Sequence, residues 1–399
     1  MIRAAALVTL LLGLLGPIGP ATAQEATSES LTLRAQTGDV AAQTALAFRY
    51  HLGDGVVQNY ATAALWATKA GDAGEPTAQN LLGRYYHGGL GVEQDQAQAL
   101  HWLAAAANSG AAQFLHDLGQ ALEYGADGSS DPASAAQAYA QAAEAGHMDA
   151  TVSLGLLYQE GLGVAQDFAR AHSLYEAAAT QGHARAQNNL GLLYVRGDGT
   201  PQDYEKAAQL FAAAAQQGLS RAIRNLGVMY ENGFGVPIDE AYAAELYRQA
   251  GQGGGAAPQA ALTLSYDARL APLPQASPEL LAHLRQIARA GDPVAQFQLG
   301  WSLATPEGAT PAALTEAGAM FQAAAEAGYG PAMRNLGFLY FEGRGVPQDY
   351  VLGRMWLTLA GSAGQTDAAA LIDMLGGTMT PDQINEAQSR ALTRSKIKS

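Results

Sequence analysis

Residues 186–218 read AQNNLGLLYVRGDGTPQDYEKAAQLFAAAAQQG, and this stretch decides the fold. Leu190 and Tyr194 lie four apart and share one face of a helix. Glycines at Gly197 and Gly199 end that helix, because glycine enters the left-handed backbone region at little cost. Pro201 leads to Asp203, an N-cap signal for a second, alanine-rich helix. That helix carries one large ring, Phe211, and stops at Gly218.

The unit recurs along the chain. The small residue of the Leu-Gly pair stands at Ala47, Gly83, Gly119, Gly155, Gly191, Gly227, Thr263, Gly300 and Gly337, in steps of 36 or 37 residues. Three residues on, Tyr50, Tyr86, Tyr158, Tyr194, Tyr230, Tyr266 and Tyr340 keep the same phase, and so do Asp95, Asp167, Asp203, Asp239 and Asp349. A large residue follows in the second helix: Trp66, Trp102, Tyr139, Tyr175, Phe211, Tyr247, Phe321 and Trp356. One helical hairpin cannot bury its apolar face, whereas stacked hairpins can. The period predicts an all-α solenoid of about nine helix-turn-helix repeats. The tyrosine and tryptophan ladders are read as core, and the Gly-x-Gly turns as helix stops.

The phased Leu-Gly-x-x-Tyr, Gly-x-Gly-Val, Asp, Lys-Ala and Ala-Ala-x-x-Gly pattern resembles the Sel1-like repeat family, relatives of the tetratricopeptide repeat, over about residues 35–370. The resemblance implies a binding scaffold, in bacteria an exported adaptor or regulator. It also carries a rival: cysteine-rich relatives described as penicillin-binding or weakly hydrolytic. This chain lacks their cysteines and any placed nucleophile, and a Ser-x-x-Lys match at Ser395–Lys398 lies in the terminal tail. The expectation is a protein that is not an enzyme.

Departures from the pattern divide the chain. Residues 1–23 read as a signal peptide: Arg3 precedes an apolar run from Ala4 to Leu15, and Ala21-Thr22-Ala23 is a small-x-small cleavage site. An uncleaved anchor would need about 20 apolar residues. Residues 24–251 form the regular array. Residues 252–316 are degenerate, with Gly251–Gly255 and Pro272, Pro274 and Pro278, and read as a hinge, a recognition loop or neutral drift. Residues 317–375 make a C-terminal repeat with a capping helix. Residues 376–399 make a final helix with Thr380 as N-cap and a basic tail of Arg390, Arg394, Lys396 and Lys398. That tail is read as solvated, or as contacting the acidic body, a partner or lipid.

The 399 residues carry 36 acidic against 22 basic side chains, a net charge of −14, which argues against nucleic acid. Without cysteine there is no disulfide, and stability rests on packing. No segment after residue 23 is apolar enough to span a membrane, and periplasmic or secreted residence is expected. Eight scattered histidines, with no i, i+4 pair, suggest no metal site, and no cofactor motif is present.

Binding residues are sought on the concave wall. In the tetratricopeptide architecture that the family resembles, positions six and three before the glycine and one and four after it point inward. Carried over, this register marks Asn80, Arg84, Arg185, Asn188, Arg221, Arg224, Trp301, Arg334 and Phe338. Asn189, Asn225 and Asn335 stand two before their glycines, where asparagine could grip a peptide backbone. Arg185, Asn188, Arg221 and Arg224 should form one basic patch, suited to carboxylates. The alternative is that these side chains bond between repeats. The expected partner is a protein or peptide of the cell envelope, with peptidoglycan or polysaccharide contact as a second option. The oligomeric state is left open.

Overall fold

The computed structural model describes residues 28–251, 263–273, 277–305, 309–377 and 379–396. Among these there are twenty helices and no strand. In chain order they are α1 (Ser28–Gln36), α2 (Val40–Leu52), α3 (Tyr60–Asp72), α4 (Pro76–Gly88), α5 (Gln96–Ala107), α6 (Ala112–Glu123), α7 (Pro132–Glu144), α8 (Met148–Glu160), α9 (Phe168–Ala179) and α10 (Ala184–Arg196). Then follow α11 (Tyr204–Gln216), α12 (Ser220–Asn232), α13 (Glu240–Gly251), α14 (Pro278–Arg289), α15 (Pro293–Ala304), α16 (Pro311–Glu326), α17 (Gly330–Glu342), α18 (Tyr350–Ser362), α19 (Ala368–Gly376) and α20 (Pro381–Lys396). The signal-peptide reading lies outside the described residues, as does Lys398.

The hairpins that keep the Gly-x-Gly turn and its aspartate are held by the same three devices. The aspartates cap the second helix: Asp95, Asp167, Asp203, Asp239 and Asp349 each accept the backbone N–H three residues on, at 2.9–3.0 Å. Their own N–H groups donate back to the helix-A tyrosine carbonyls of Tyr86, Tyr158, Tyr194, Tyr230 and Tyr340. The closing glycines hold positive φ, from +76° at Gly110 to +100° at Gly328.

The Leu-Gly glycine is demanded by close approach. A Cβ on Gly191 would sit 2.7 Å from the Phe211 ring, on Gly155 2.6 Å from Tyr175, and on Gly119 2.5 Å from Tyr139. In the second and ninth repeats the plug is Leu103 and Leu357, one residue later than the tryptophans singled out from the sequence. At Gly91, Gly163, Gly199, Gly235 and Gly345 the second glycine of the turn packs on the preceding repeat. A Cβ on Gly163 would lie 2.2 Å from the Pro132 backbone, and on Gly235 2.3 Å from that of Tyr204.

The chain forms two compact units. One holds residues 1–81, 88–94 and 259–399, and the other holds 82–87 and 95–258. In the second unit, α5 to α13 stack as successive hairpins around Tyr139, Tyr175, Phe211 and the buried leucines. In the first, α14 to α18 enclose Phe297, Phe321, Leu336 and Trp356.

The first unit departs from the expected register at Thr263. Among the described residues the seventh repeat has no helix at that position: residues 263–267 run without helix or turn, and the next described helix is α14. From α14 to α18 the hairpins are as regular as the rest. Helix α20 packs on α18 and reaches the first repeats. Gln388 is buried and accepts the Tyr60 N–H at 2.8 Å, while Asn385 donates to the Gly89 carbonyl and accepts from the Gly91 N–H. Arg394 lies over the Trp356 ring and pairs with Glu326 at 3.1 Å. The basic helix is thus docked on this unit.

The plug contact predicts that Gly191→Ala loses about 1–3 kcal/mol of stability through overpacking. Gly361→Ala, late in α18 where a Cβ meets nothing closer than 3.9 Å, should leave stability unchanged or raise it by about 0.5–1 kcal/mol. Urea unfolding of both variants checks this. Equal shifts in the same direction would defeat the close-approach account.

Candidate functional site

In the second unit the first helices of three consecutive repeats, α8, α10 and α12, line a cavity of about 340 Å³. Its walls are Leu156 and Gln159 from α8, Asn188, Asn189 and Leu192 from α10, and Arg221, Arg224 and Asn225 from α12. Their common placement follows from the plugs. Once Gly155, Gly191 and Gly227 are pressed against the rings of helix B, positions on the opposite side of helix A must face away from the core. Leu156 and Leu192 occupy the position one after the glycine, and Asn188 and Arg224 the position three before it.

The asparagines form a chain. Asn225 Nδ2 donates to Asn188 Oδ1 at 2.9 Å, and Asn188 Nδ2 donates to Asn189 Oδ1 at 3.2 Å. Each Asn amide nitrogen carries two hydrogens, so Asn225 keeps one N–H and its carbonyl oxygen for another partner. Behind the wall the Tyr175 hydroxyl donates to Gln159 at 3.2 Å. Burial pushes that phenol well above its usual range, so it remains a donor.

The arginines differ in what they hold. Arg185 is exposed and bonds Asp149 at 3.2 Å, outside the cavity lining. Arg221 and Arg224 are exposed and no carboxylate among the described residues pairs with either. Two cations therefore face an amide-lined cavity in a strongly acidic chain.

The remaining candidates lie elsewhere. Asn80 is buried and Arg84 half-buried, and both are engaged in contacts within the fold. Arg334, Asn335 and Phe338 were expected on an accessible wall, yet all three are buried, at 3%, 0% and 4% exposure. The cause is the chain itself. Asn335 accepts the Ser265 N–H and donates to the Ser265 carbonyl, both at 2.9 Å. Arg334 donates to the Thr263 carbonyl at 2.5 Å and to Asp367 at 3.0 Å. Trp301 is half-buried under Tyr266, with ring centroids 5.3 Å apart. The groove of α15 and α17 is filled by residues 263–267.

Sequence reading missed Leu156, Gln159 and Leu192 as lining residues. They follow the same register, but carry no charge to mark them. It read residues 252–316 as irregular but did not foresee that 263–265 would lie on α17. Among the described residues no three metal-binding side chains gather, and no helix is long and apolar enough to cross a membrane.

Asp149, at the start of α8, is held by His183 and Arg185 rather than by the cavity arginines. A hydrogen bond from His183 at 3.2 Å, with Arg185 adding to it, holds its carboxyl down at about 2 against an ordinary 3.8. His183 accepts the Ala186 N–H at Nδ1, so Nε2 is the donor to Asp149. A depressed carboxyl contributes stability above its unfolded value and loses it as pH falls towards the folded one. Wild type should therefore lose about 1–2 kcal/mol more than Asp149→Asn between pH 4 and pH 2, less than the full shift because the pair is partly exposed. Parallel urea-stability curves for the two proteins would refute this.

Comparisons with known proteins bear on the repeat architecture. The family model described as Sel1 repeat matches residues 40–75, 76–110, 112–147, 149–183, 184–219, 220–255, 293–329 and 330–365. No curated protein matches the chain. Among solved structures, c5321, a protective antigen of uropathogenic Escherichia coli with an SLR fold, is 28% identical, with a TM-score of 0.51 over 92% of this chain and 86% of its own. A Sel1 repeat protein from Oxalobacter formigenes is also 28% identical, with a TM-score of 0.50 over 56% of this chain and 87% of its own.

Proposed function

This chain belongs to the Sel1 repeat family, and on that premise we propose that it is an exported, non-enzymatic adaptor that binds a peptide or protein partner in the cavity of α8, α10 and α12. Sel1 repeat proteins mediate protein–protein interaction. One observation carries the reading. Arg221 and Arg224 stand exposed without a carboxylate partner among the described residues, over a cavity walled by asparagine amides and two leucines. An unpaired guanidinium pair recognises carboxylates in a bidentate, salt-sensitive way, and arginine beside an apolar shelf is the composition of binding hot spots.

Export is supported by the n-region, apolar run and small-x-small site of residues 1–23. The protein would then work in the periplasm or outside the cell. The N-terminal mass of the chain recovered from its own envelope fraction tests this: the expected first residue is Gln24, and an intact Met1 overturns export by this signal.

The partner itself is tested by crosslinking and recovery from the same fraction, comparing wild type with Arg221→Glu/Arg224→Glu. One enriched protein should be lost in the variant. Thermal stability should move by no more than about 0.5 kcal/mol, since both side chains are exposed. Identical recovery with both proteins would remove the cavity from consideration.

A further inference from the structure

The tetrapeptide Arg-Asn-Leu-Gly occurs twice on helix A, at Arg224–Gly227 in α12 and at Arg334–Gly337 in α17. In α17 the structure shows what this motif holds. Asn335 takes both backbone groups of one residue, Ser265, at 2.9 Å each, and Arg334 takes the carbonyl two residues earlier. In an extended chain the N–H and C=O of one residue point to the same side, so a single carboxamide pairs with both at once. That clamp reads backbone and conformation, not side-chain identity.

The surroundings correspond position by position. Trp301, one after Gly300 on the preceding helix A, supports the Tyr266 ring, and Gln298 donates to its hydroxyl at 3.2 Å. Leu192 and Asn189 hold these two positions before α12, and both line the open cavity. The acid two residues after the clamped one, Asp267, reaches the start of α17, where the Tyr329 hydroxyl bonds it. At the start of α12 the cavity presents Arg221 instead. In α17 that arginine's position is Pro331.

We propose that the cavity of the second unit binds an extended acidic segment of another protein, clamped through its backbone by Arg224 and Asn225 as residues 263–265 are by Arg334 and Asn335. In this register Asn225 accepts the N–H and donates to the carbonyl of the ligand residue i. Arg224 takes the carbonyl of i−2, Leu192 carries the side chain of i+1, and Arg221 pairs with an acid at i+2. Asn225 is equipped for this, because its bond to Asn188 uses one amide hydrogen and leaves the other and the oxygen. The inference rests on the cavity being a partner site, and adds what that partner presents.

The test uses the full chain and a fluorescent, end-blocked hexapeptide Thr-Leu-Ser-Tyr-Asp-Ala, the sequence of residues 263–268, read by anisotropy. Three comparisons are made: Asn225→Ala in the protein, N-methylation of the peptide serine, and replacement of the peptide aspartate by asparagine. Loss of a paired backbone bond should weaken binding about tenfold in each of the first two. The third should weaken it by a few-fold at low salt, and less as salt rises. N-methylation leaves the protein untouched, so it separates a lost clamp from a misfolded variant. Binding that ignores both Asn225→Ala and N-methylation overturns the clamp, as does no binding at about 1 mM peptide. In either case loss of a crosslinked partner in Arg221→Glu/Arg224→Glu still upholds the cavity as a partner site, so the two readings fail separately.

Discussion

The packing of a helix-B ring against a glycine of helix A is the contact from which the rest of this structure follows. The Tyr175, Phe211 and Tyr139 rings fill space that a single methyl group would occupy. Because the plug sits in the same place in each repeat, it sets the rotation of every helix A. One face is committed to the core and the opposite face is turned outward in a constant register. The Asp caps and left-handed glycines then limit each hairpin to one length, which keeps successive repeats in phase.

That constant register makes the two Arg-Asn-Leu-Gly motifs comparable, and also shows why they differ. In α17 the groove is filled by residues 263–267, and the motif's polar groups are satisfied by backbone that would otherwise cover them with nothing. Burying Arg334 is tolerable because Asp367 and a carbonyl both accept from it. In α12 Arg224 stays exposed and Asn225 half-buried beside Arg221, and no acid among the described residues pairs with either arginine. Asp149, at the start of α8, is engaged by His183 and Arg185. Among the described residues the charge of the cavity is therefore left uncompensated.

The eroded seventh repeat illustrates how a repeat signal can mislead. Thr263 and Tyr266 keep the spacing of the anchor and its aromatic, yet a threonine in place of glycine leaves no room for a plug. The segment lies without helix across α17. There Tyr266 still packs on aromatic rings, but those of Phe297 and Trp301 in a different repeat. Conversely α14 to α16, which lack the Gly-x-Gly turn, form hairpins as regular as the others. Their caps come from Ser277, Asp292 and Thr310 instead.

From the sequence alone, the period, the helical hairpins, the capping aspartates, the stop glycines and the face of helix A that carries Asn188, Arg221 and Arg224 could all be read. Each depends on contacts within one repeat or with the next, which recur every 36 or 37 residues and so reinforce one another. Tertiary structure alone decided which grooves are open. Arg334 and Arg224 have the same neighbours in sequence. What separates them is whether a segment about 70 residues away returns to lie on the helix. It also decided that the basic C-terminal helix docks, through Gln388 and Asn385, on residues some 300 positions earlier. Neither contact leaves a periodic trace, because each is made once.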